Sequence, residues 1–474
     1  MHLPGGLLLY TGDKITDVMG YYRNLFRILF VICVCVTFLF YSDPVGVFAN
    51  DEVTFEPTSK DVLMERFGGS NGVLVKFKNR KVGAEYLATR EQDMVKINNH
   101  IKGIDVWLVK SDGISDQALL EQIEANDAVL WAELNGLMHI TAEPPKDPYY
   151  PGYQENLRVI EMPNAWGIST GTDNVIAIID TGIDLSHADL ANKIWQNSDE
   201  IPGNGIDDDY NGYIDDIRGW DFVNNDNLPQ DDHWHGSHVG GIAAAETDNL
   251  IGIAGVSWGA KLMPLKACNF GGDCYFSDAA NAVTYAVDNG SKVVNMSFGS
   301  SAPSSVIEES VKYASNLGCI LISSVGNENT AVFYPAKYQE VLGIAAADNT
   351  DKRWSYSNYG NEVDITAPGV SIVSTVLNDT TGYEYAPATG TSMSAPHISG
   401  VVSLIWSVNP LLTADQVKHV LLSTAVDISD PGFDIYTGYG RVDAYAALAY
   451  ALGNLPDMHK MYLPLFQDNS HDTK

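Results

Sequence analysis

Positive charge is what this 474-residue chain has least of. Its 28 Lys and Arg stand against 60 Asp and Glu, giving a net charge of −32 and a pI of about 4.4. That balance excludes nucleic acid and anionic membrane as partners, since both require a basic surface. Long apolar runs are missing too. Residues 28–41 follow Arg23 and Arg27 and carry no charge, but fall short of the ~20 residues a membrane helix needs. The run fits the apolar core of an export signal, and Val47-Phe48-Ala49 sets small residues where a signal peptidase reads. Cleavage after Ala49 is the expectation and an uncleaved anchor the alternative; both place the folded part outside the cytoplasm. Cysteine is scarce. Of five, Cys33 and Cys35 would leave with the signal, and the odd number remaining leaves one thiol unpaired. Cys268 and Cys274 flank a short loop that a disulfide would close, with buried thiols as the other reading; Cys319 opens an apolar strand.

What is present is ordinary globular composition, 45% apolar and 19% charged, enough for one large and one small domain with tails. Residues 73–77, 106–109 and 129–134 read as strands and 116–124 as a helix, so residues 50–142 form a small α+β module. Glu143-Pro144-Pro145-Lys146-Asp147-Pro148 is a linker that continues neither strand nor helix. Beyond it, buried strands at 175–179, 262–265, 293–296, 320–323, 341–346 and 372–375 alternate with helices at 276–288, 304–316, 393–408, 414–423 and 442–451. Such alternation means an α/β domain, residues 143–455, built on a mostly parallel sheet with helices on both faces. Its active groups should gather at the carboxyl ends of the strands. Residues 456–474 form a polar tail with one apolar patch at 461–466.

Three segments carry chemistry. Asp180-Thr181-Gly182 ends a strand, His235-Gly236-Ser237-His238 follows, and Gly390-Thr391-Ser392-Met393 heads an apolar helix whose N-terminal N–H groups suit an oxyanion. Acid, then histidine, then serine is one of the chain orders in which a Ser-His-Asp triad occurs. The absence of a second Asp-Thr-Gly or Asp-Ser-Gly excludes an aspartic protease, and Gly390-x-Ser392-x-Ser394 fails the G-x-S-x-G elbow of α/β-hydrolases. With Asn295-Met296-Ser297-Phe298-Gly299, Gly326-Asn327-Glu328 and Ala367-Pro368-Gly369 in the same order, the region 147–452 resembles the subtilisin-like serine proteases, most of all their thermitase branch.

The resemblance implies Ser392 as nucleophile, His235 as base, Asp180 as the acid orienting it, and Asn327 as oxyanion donor. It implies Ser297, Phe298 and Gly299, with Gly272 across the cleft, as the strips that pair with a peptide substrate. Phe333 falls at the floor of the primary specificity pocket, turned inward or, alternatively, outward. His233 and His238 read as histidines without catalytic duty. Structural calcium is implied at Asp147, Asp189 and Asn249, and again at Asp221, Asp226 and Gln230, all hard oxygen donors on loops. Asp207, Asp209 and Asn211 begin like an EF-hand loop, but Arg218 stands where its bidentate Glu belongs. That segment is either calcium-ordered or merely acidic and solvated. The family also implies that residues 50–142 are an inhibitory, folding-assisting propeptide, cut near Thr141-Ala142. The expectation is a secreted, monomeric, self-processing endopeptidase acting on proteins or peptides, free of membrane once the signal is gone. A catalytically silent binding protein on this fold and a dedicated processing peptidase are its competitors.

Overall fold

The computed structural model describes residues 72–90, 95–135, 143–377 and 384–452. The Ala49 and Thr141-Ala142 junctions and the tail from 456 lie outside them. The N-terminal module comprises β1 (Val73–Phe77), α1 (Arg80–Thr89), β2 (Val95–Ile101), β3 (Val106–Ser111), α2 (Asp116–Glu124) and β4 (Val129–Leu134). The strands form an antiparallel sheet in the order β2-β3-β1-β4. Val73, Val75, Phe77, Val95, Val109, Leu87, Leu119 and Ile123 make its own core. α1 and β2 escape the sequence reading because few of their residues are buried; α1 is fixed by Asn79, whose side chain caps Lys81 N–H.

The larger domain begins with α3 (Glu155–Val159) and α4 (Met162–Trp166). It continues through β5 (Val175–Asp180), β6 (Trp220–Asp221), α5 (His235–Ala244), β7 (Lys261–Lys266), α6 (Phe276–Asp288), β8 (Val293–Met296), α7 (Ser305–Asn316), β9 (Ile320–Ser324), β10 (Val341–Ala347) and β11 (Ile365–Pro368). After β12 (Ile372–Thr375) and β13 (Tyr385–Ala388) come α8 (Thr391–Val408), α9 (Ala414–Ser423) and α10 (Ala444–Ala451). Seven strands pair in parallel in the order β11-β10-β9-β8-β5-β7-β6. After β5 the chain builds β6 and β7 on one side and β8 to β11 on the other, so the strand order reverses at β5 and a crevice opens at the carboxyl ends of β5, β7 and β8.

Alternation along β5 feeds two cores. Ile176 and Ile178 join the layer containing α5 and α8, while Ala177 and Ile179 join the layer containing α6 and α7. α8 is buried from Thr391 to Trp406, so it crosses the domain interior rather than lying on its surface. Gly400 lets it approach α5 closely: a Cβ there would sit 2.5 Å from Val256 Cβ and 2.9 Å from Ala243 O. Residues 372–375 are a strand, as expected, but not of the parallel sheet. They pair antiparallel with β13, and the hydroxyls of Ser374 and Thr375 donate to the carbonyls of His238 and Ser237 on α5. The parallel positions go instead to β11 and the two-residue β6, both too short to show a period.

Two buried histidines fix α5 and α8. His238 Nε2 donates to the carbonyls of Ile372 and Ala386, at 3.0 and 3.1 Å. His397 Nδ1 donates to Met393 O, and its Nε2 accepts Asn156 Nδ2, both at 2.8 Å. Burial drives their pKa values down, to about 3 and about 4. Because an unfolded histidine titrates near ~6.5, acidification below that value makes unfolding take up a proton at each. These two rings should therefore withdraw up to about 2.8 kcal/mol of stability per pH unit between about pH 6 and 5, about 1.4 from each, partly offset by Asp364, whose pKa burial raises to about 6. His397→Gln should remove about half of that slope in urea melts, and an unchanged slope would refute the assignment.

Candidate active site

Asp180 ends β5 with its side chain 2% exposed, and His235 opens α5. Their meeting needs close backbone approach, which Gly236 supplies: a Cβ there would lie 2.1 Å from Gly182 O. His235 Nδ1 donates to Asp180 Oδ1 at 2.8 Å, and the same oxygen accepts Thr181 N–H at 2.8 Å. Burial opposes charging the imidazole, but the charge and hydrogen bond of Asp180, with Asp231 adding to them, outweigh it and raise its pKa. His233 is shifted the opposite way, by burial and by the charge of His235.

Ser392 sits in the first turn of α8, where backbone N–H groups have no helical acceptor. The helix tolerates Pro396 for a local reason. Proline has no N–H to offer the carbonyl four residues back, which is that of Ser392; Ser297 Oγ donates to it instead, at 3.0 Å. In return Ser392 Oγ donates to Ser297 O, also at 3.0 Å, rather than to the His235 ring. Asn327 Oδ1 is held by Thr391 N–H (2.9 Å) and Thr391 Oγ1 (2.8 Å), which leaves its Nδ2 as the outward donor.

Asp180, His235, Ser392, Asn327, Ser297, Phe298, Gly299, Phe333 and Gly272 all line one cleft of about 620 Å³, enough for several residues of an extended chain. Cys268 and Cys274 are disulfide-bonded and close a small hairpin on its rim, where Asn269 N–H donates to Asp273 O. Cys319 is the free, buried thiol, its pKa pushed up to about 12. The Phe333 side chain points inward: a Cβ on Gly299 would be 3.1 Å from Phe333 Cβ, and one on Gly326 3.0 Å from its Cδ2.

The acidic loops fare unevenly. Asp147 and Asp189 are 1% and 0% exposed, and burial raises both pKa values. Asp189 accepts Asn249 Nδ2 at 2.9 Å, while Asp147 accepts the N–H groups of Asp248 and Asn249, so the three expected residues meet. Asp221 and Asp226 also adjoin through reciprocal backbone hydrogen bonds. Gln230 is not joined to them; its Oε1 accepts Leu185 N–H and its Nε2 donates to Asp184 Oδ1. In the Asp207 loop, Asn211 donates from its Nδ2 to Asp209 Oδ2 and Asp216 Oδ2. Glu200, buried and missed in the sequence, joins the loop: ligand atoms of Glu200, Asp207 and Asp209 lie within 4.8 Å of one another, a cluster able to hold a metal. No spacing within the loop signals a partner from upstream. Thr181, Asp231 and Lys266 were likewise missed as residues packed around the Asp180–His235 pair.

Comparison with known proteins gives this arrangement its family. Residues 171–440 match the subtilase family. A thermophilic serine proteinase from Bacillus sp. (strain AK1) is 34% identical over 411 residues, 85% of this chain and 94% of that protein. Thermitase from Thermoactinomyces vulgaris is 38% identical over 65% of this chain and 99% of its own length. A solved protease structure from Pseudoalteromonas arctica is matched over its full length and 65% of this chain, with a TM-score of 0.54 and 27% identity. The chain belongs to the subtilase family and is a serine-type endopeptidase.

Proposed function

We propose that Ser392, His235, Asp180 and Asn327 are the working groups of a secreted, calcium-stabilised endopeptidase made as a self-processing precursor. The observation that carries the reading is the 2.8 Å hydrogen bond from His235 Nδ1 to Asp180, in a cleft shared with Ser392. That bond fixes the tautomer whose free Nε2 can accept the serine proton. An extended substrate pairing with residues 297–299 offers its own N–H to Ser297 O, displacing the Ser392 hydroxyl toward the imidazole. Ser392 Oγ then attacks the peptide carbonyl as His235 takes its proton. The tetrahedral oxyanion receives Ser392 N–H and Asn327 Nδ2. His235 returns the proton to the leaving amine, and water, activated by the same ring, releases the acyl group.

Residues 50–142 serve as propeptide in this reading. In support, the likeness to the Bacillus proteinase covers 85% of the chain and so reaches into residues before 143. The Cys268–Cys274 disulfide fits an oxidising compartment, consistent with export and signal removal after Ala49. The enzyme works as a monomer. Calcium fits the oxygen-only sets at Asp147 and Asp189, at Asp221 and Asp226, and at Glu200, Asp207 and Asp209. Asp147 and Asp189 join no ion pair among the described residues, and a divalent cation would neutralise them. When bound it supplies stability and no chemistry.

Ser392→Ala should accumulate as a chain still carrying residues 50–142, unlabelled by a fluorophosphonate; normal processing in a protease-free host would sink the self-cleavage reading. EDTA should lower the melting temperature, by the equivalent of about 2.7 kcal/mol if calcium had stood at a hundredfold over its Kd; an unmoved transition would remove calcium from the account. The Phe333 ring between Gly299 and Gly326 should restrict P1 to small residues such as Ala or Thr. Peptide-library profiling checks this, with Phe333→Gly expected to favour Phe, Tyr and Leu. A wild-type preference for those large residues would defeat it.

A further inference from the structure

A second carboxylate lies behind the catalytic pair and takes no part in the mechanism above. Asp231 is 3% exposed, and five donors converge on it. Its Oδ1 accepts Thr181 Oγ1 (2.8 Å), His233 N–H (2.9 Å) and Trp234 N–H (3.1 Å); its Oδ2 accepts Ser237 N–H (3.0 Å) and Ser237 Oγ (2.6 Å). Five donors suit an ionised carboxylate and stabilise its charge against the burial that raises its pKa. These donors come from both halves of the catalytic pair. Thr181 follows Asp180, gives it an N–H, and accepts Gly236 N–H at its hydroxyl (3.0 Å). His233, Trp234 and Ser237 flank His235. Between them Trp234 holds φ 120° and ψ −27°, a conformation a non-glycine residue adopts only when its surroundings impose it.

We propose that Asp231 is a positioning residue for the hydrolytic reaction, clamping the strained turn before His235 to Thr181 so that the imidazole meets Asp180. The inference rests on the catalytic reading given above. Thr181 is gripped from its other side as well. Lys266, paired in register with Asp180 on the adjacent strand and 1% exposed, donates from Nζ to Thr181 O (2.8 Å), Cys268 O (3.0 Å) and Asp232 Oδ1 (2.6 Å). The peptide after Asp180 therefore cannot shift unless a buried charge loses a partner. Asp231 also acts through space. The titratable groups facing His235 are Asp180 from β5, Asp231 and His233 from the preceding loop, and His238 from its own helix, with the Lys266–Asp232 pair beyond Thr181. Removing one buried negative charge from that set lowers the imidazole pKa.

The test uses the full chain with four substitutions: Asp231→Asn, Thr181→Val, Thr181→Ser and Ser392→Ala. Thr181→Val, which keeps shape but cuts the bridge, should lower kcat by about 10²-fold with KM little changed, because misplaced groups cost turnover rather than binding. Thr181→Ser, which keeps the hydroxyl, should restore it. Asp231→Asn should lower kcat and move the acid limb of kcat/KM to lower pH. Should Asp231→Asn fail to fold, the Thr181 pair decides alone. Wild-type kcat in folded Thr181→Val, or a loss not rescued by Thr181→Ser, would overturn the proposal; so would an unmoved acid limb in folded Asp231→Asn. Turnover surviving in Ser392→Ala would instead overturn the catalytic reading itself, so the two failures are distinguishable.

Discussion

An imidazole is a useful base only when one of its nitrogens is held by a fixed anion, and much of this domain is arranged around that requirement. Asp180 and His235 are 55 residues apart in sequence and ride on a strand and a helix that meet end to end. The meeting is possible because the strand order reverses at β5, exposing the strand's carboxyl end, and because position 236 carries no side chain to strike Gly182 O. Ser392 arrives from the other direction, on a helix that passes through the interior and is tied to the β8 strand end by the reciprocal Ser297 bonds. A missing Pro396 N–H thus has a consequence at the cleft: the carbonyl it leaves free anchors Ser392, the nucleophile of the mechanism proposed above.

Buried charge is the recurring cost of this design, and it is handled in two ways. Around the cleft, Asp231 and Lys266 have every formal bond satisfied by donors or acceptors of the right kind, so their desolvation is offset locally. In the loops, Asp147 and Asp189 are equally buried, and burial raises their pKa values as it does that of Asp231, but they receive only two and three donors against its five. The first arrangement is complete within the chain, whereas the second invites a ligand.

Much of this was legible in the sequence because the relevant signals are local. β5, β8, α6, α9 and the head of α8 announce themselves through their apolar runs and periods, and the triad segments each carry their own short pattern. What was not legible is what depends on distance. Ile372–Thr375 has the composition of a parallel-sheet strand, and only its antiparallel pairing with β13 and its contacts with α5 assign it elsewhere. Glu200 joins the Asp207 loop from seven residues upstream, outside any loop motif. Gln230 has the chemistry of a calcium ligand, yet its amide is already spent on Asp184 and Leu185. Asp231 and Lys266 look like ordinary loop and strand charges until burial is known.

Three histidines show how environment, not residue type, separates function from folding. His235 lies beside two carboxylates and is held above the usual histidine value, while His238 and His397, walled by apolar groups and backbone carbonyls, are held well below it. As pH falls, His235 is therefore the first to take a proton, and it does so within the intact fold: its protonated form is stabilised there by Asp180 and Asp231. Between about pH 6 and 5 the other two gain theirs by unfolding. On the catalytic reading proposed above, protonation of His235 would silence the base while the hydrogen-bonded frame around Thr181 still stands.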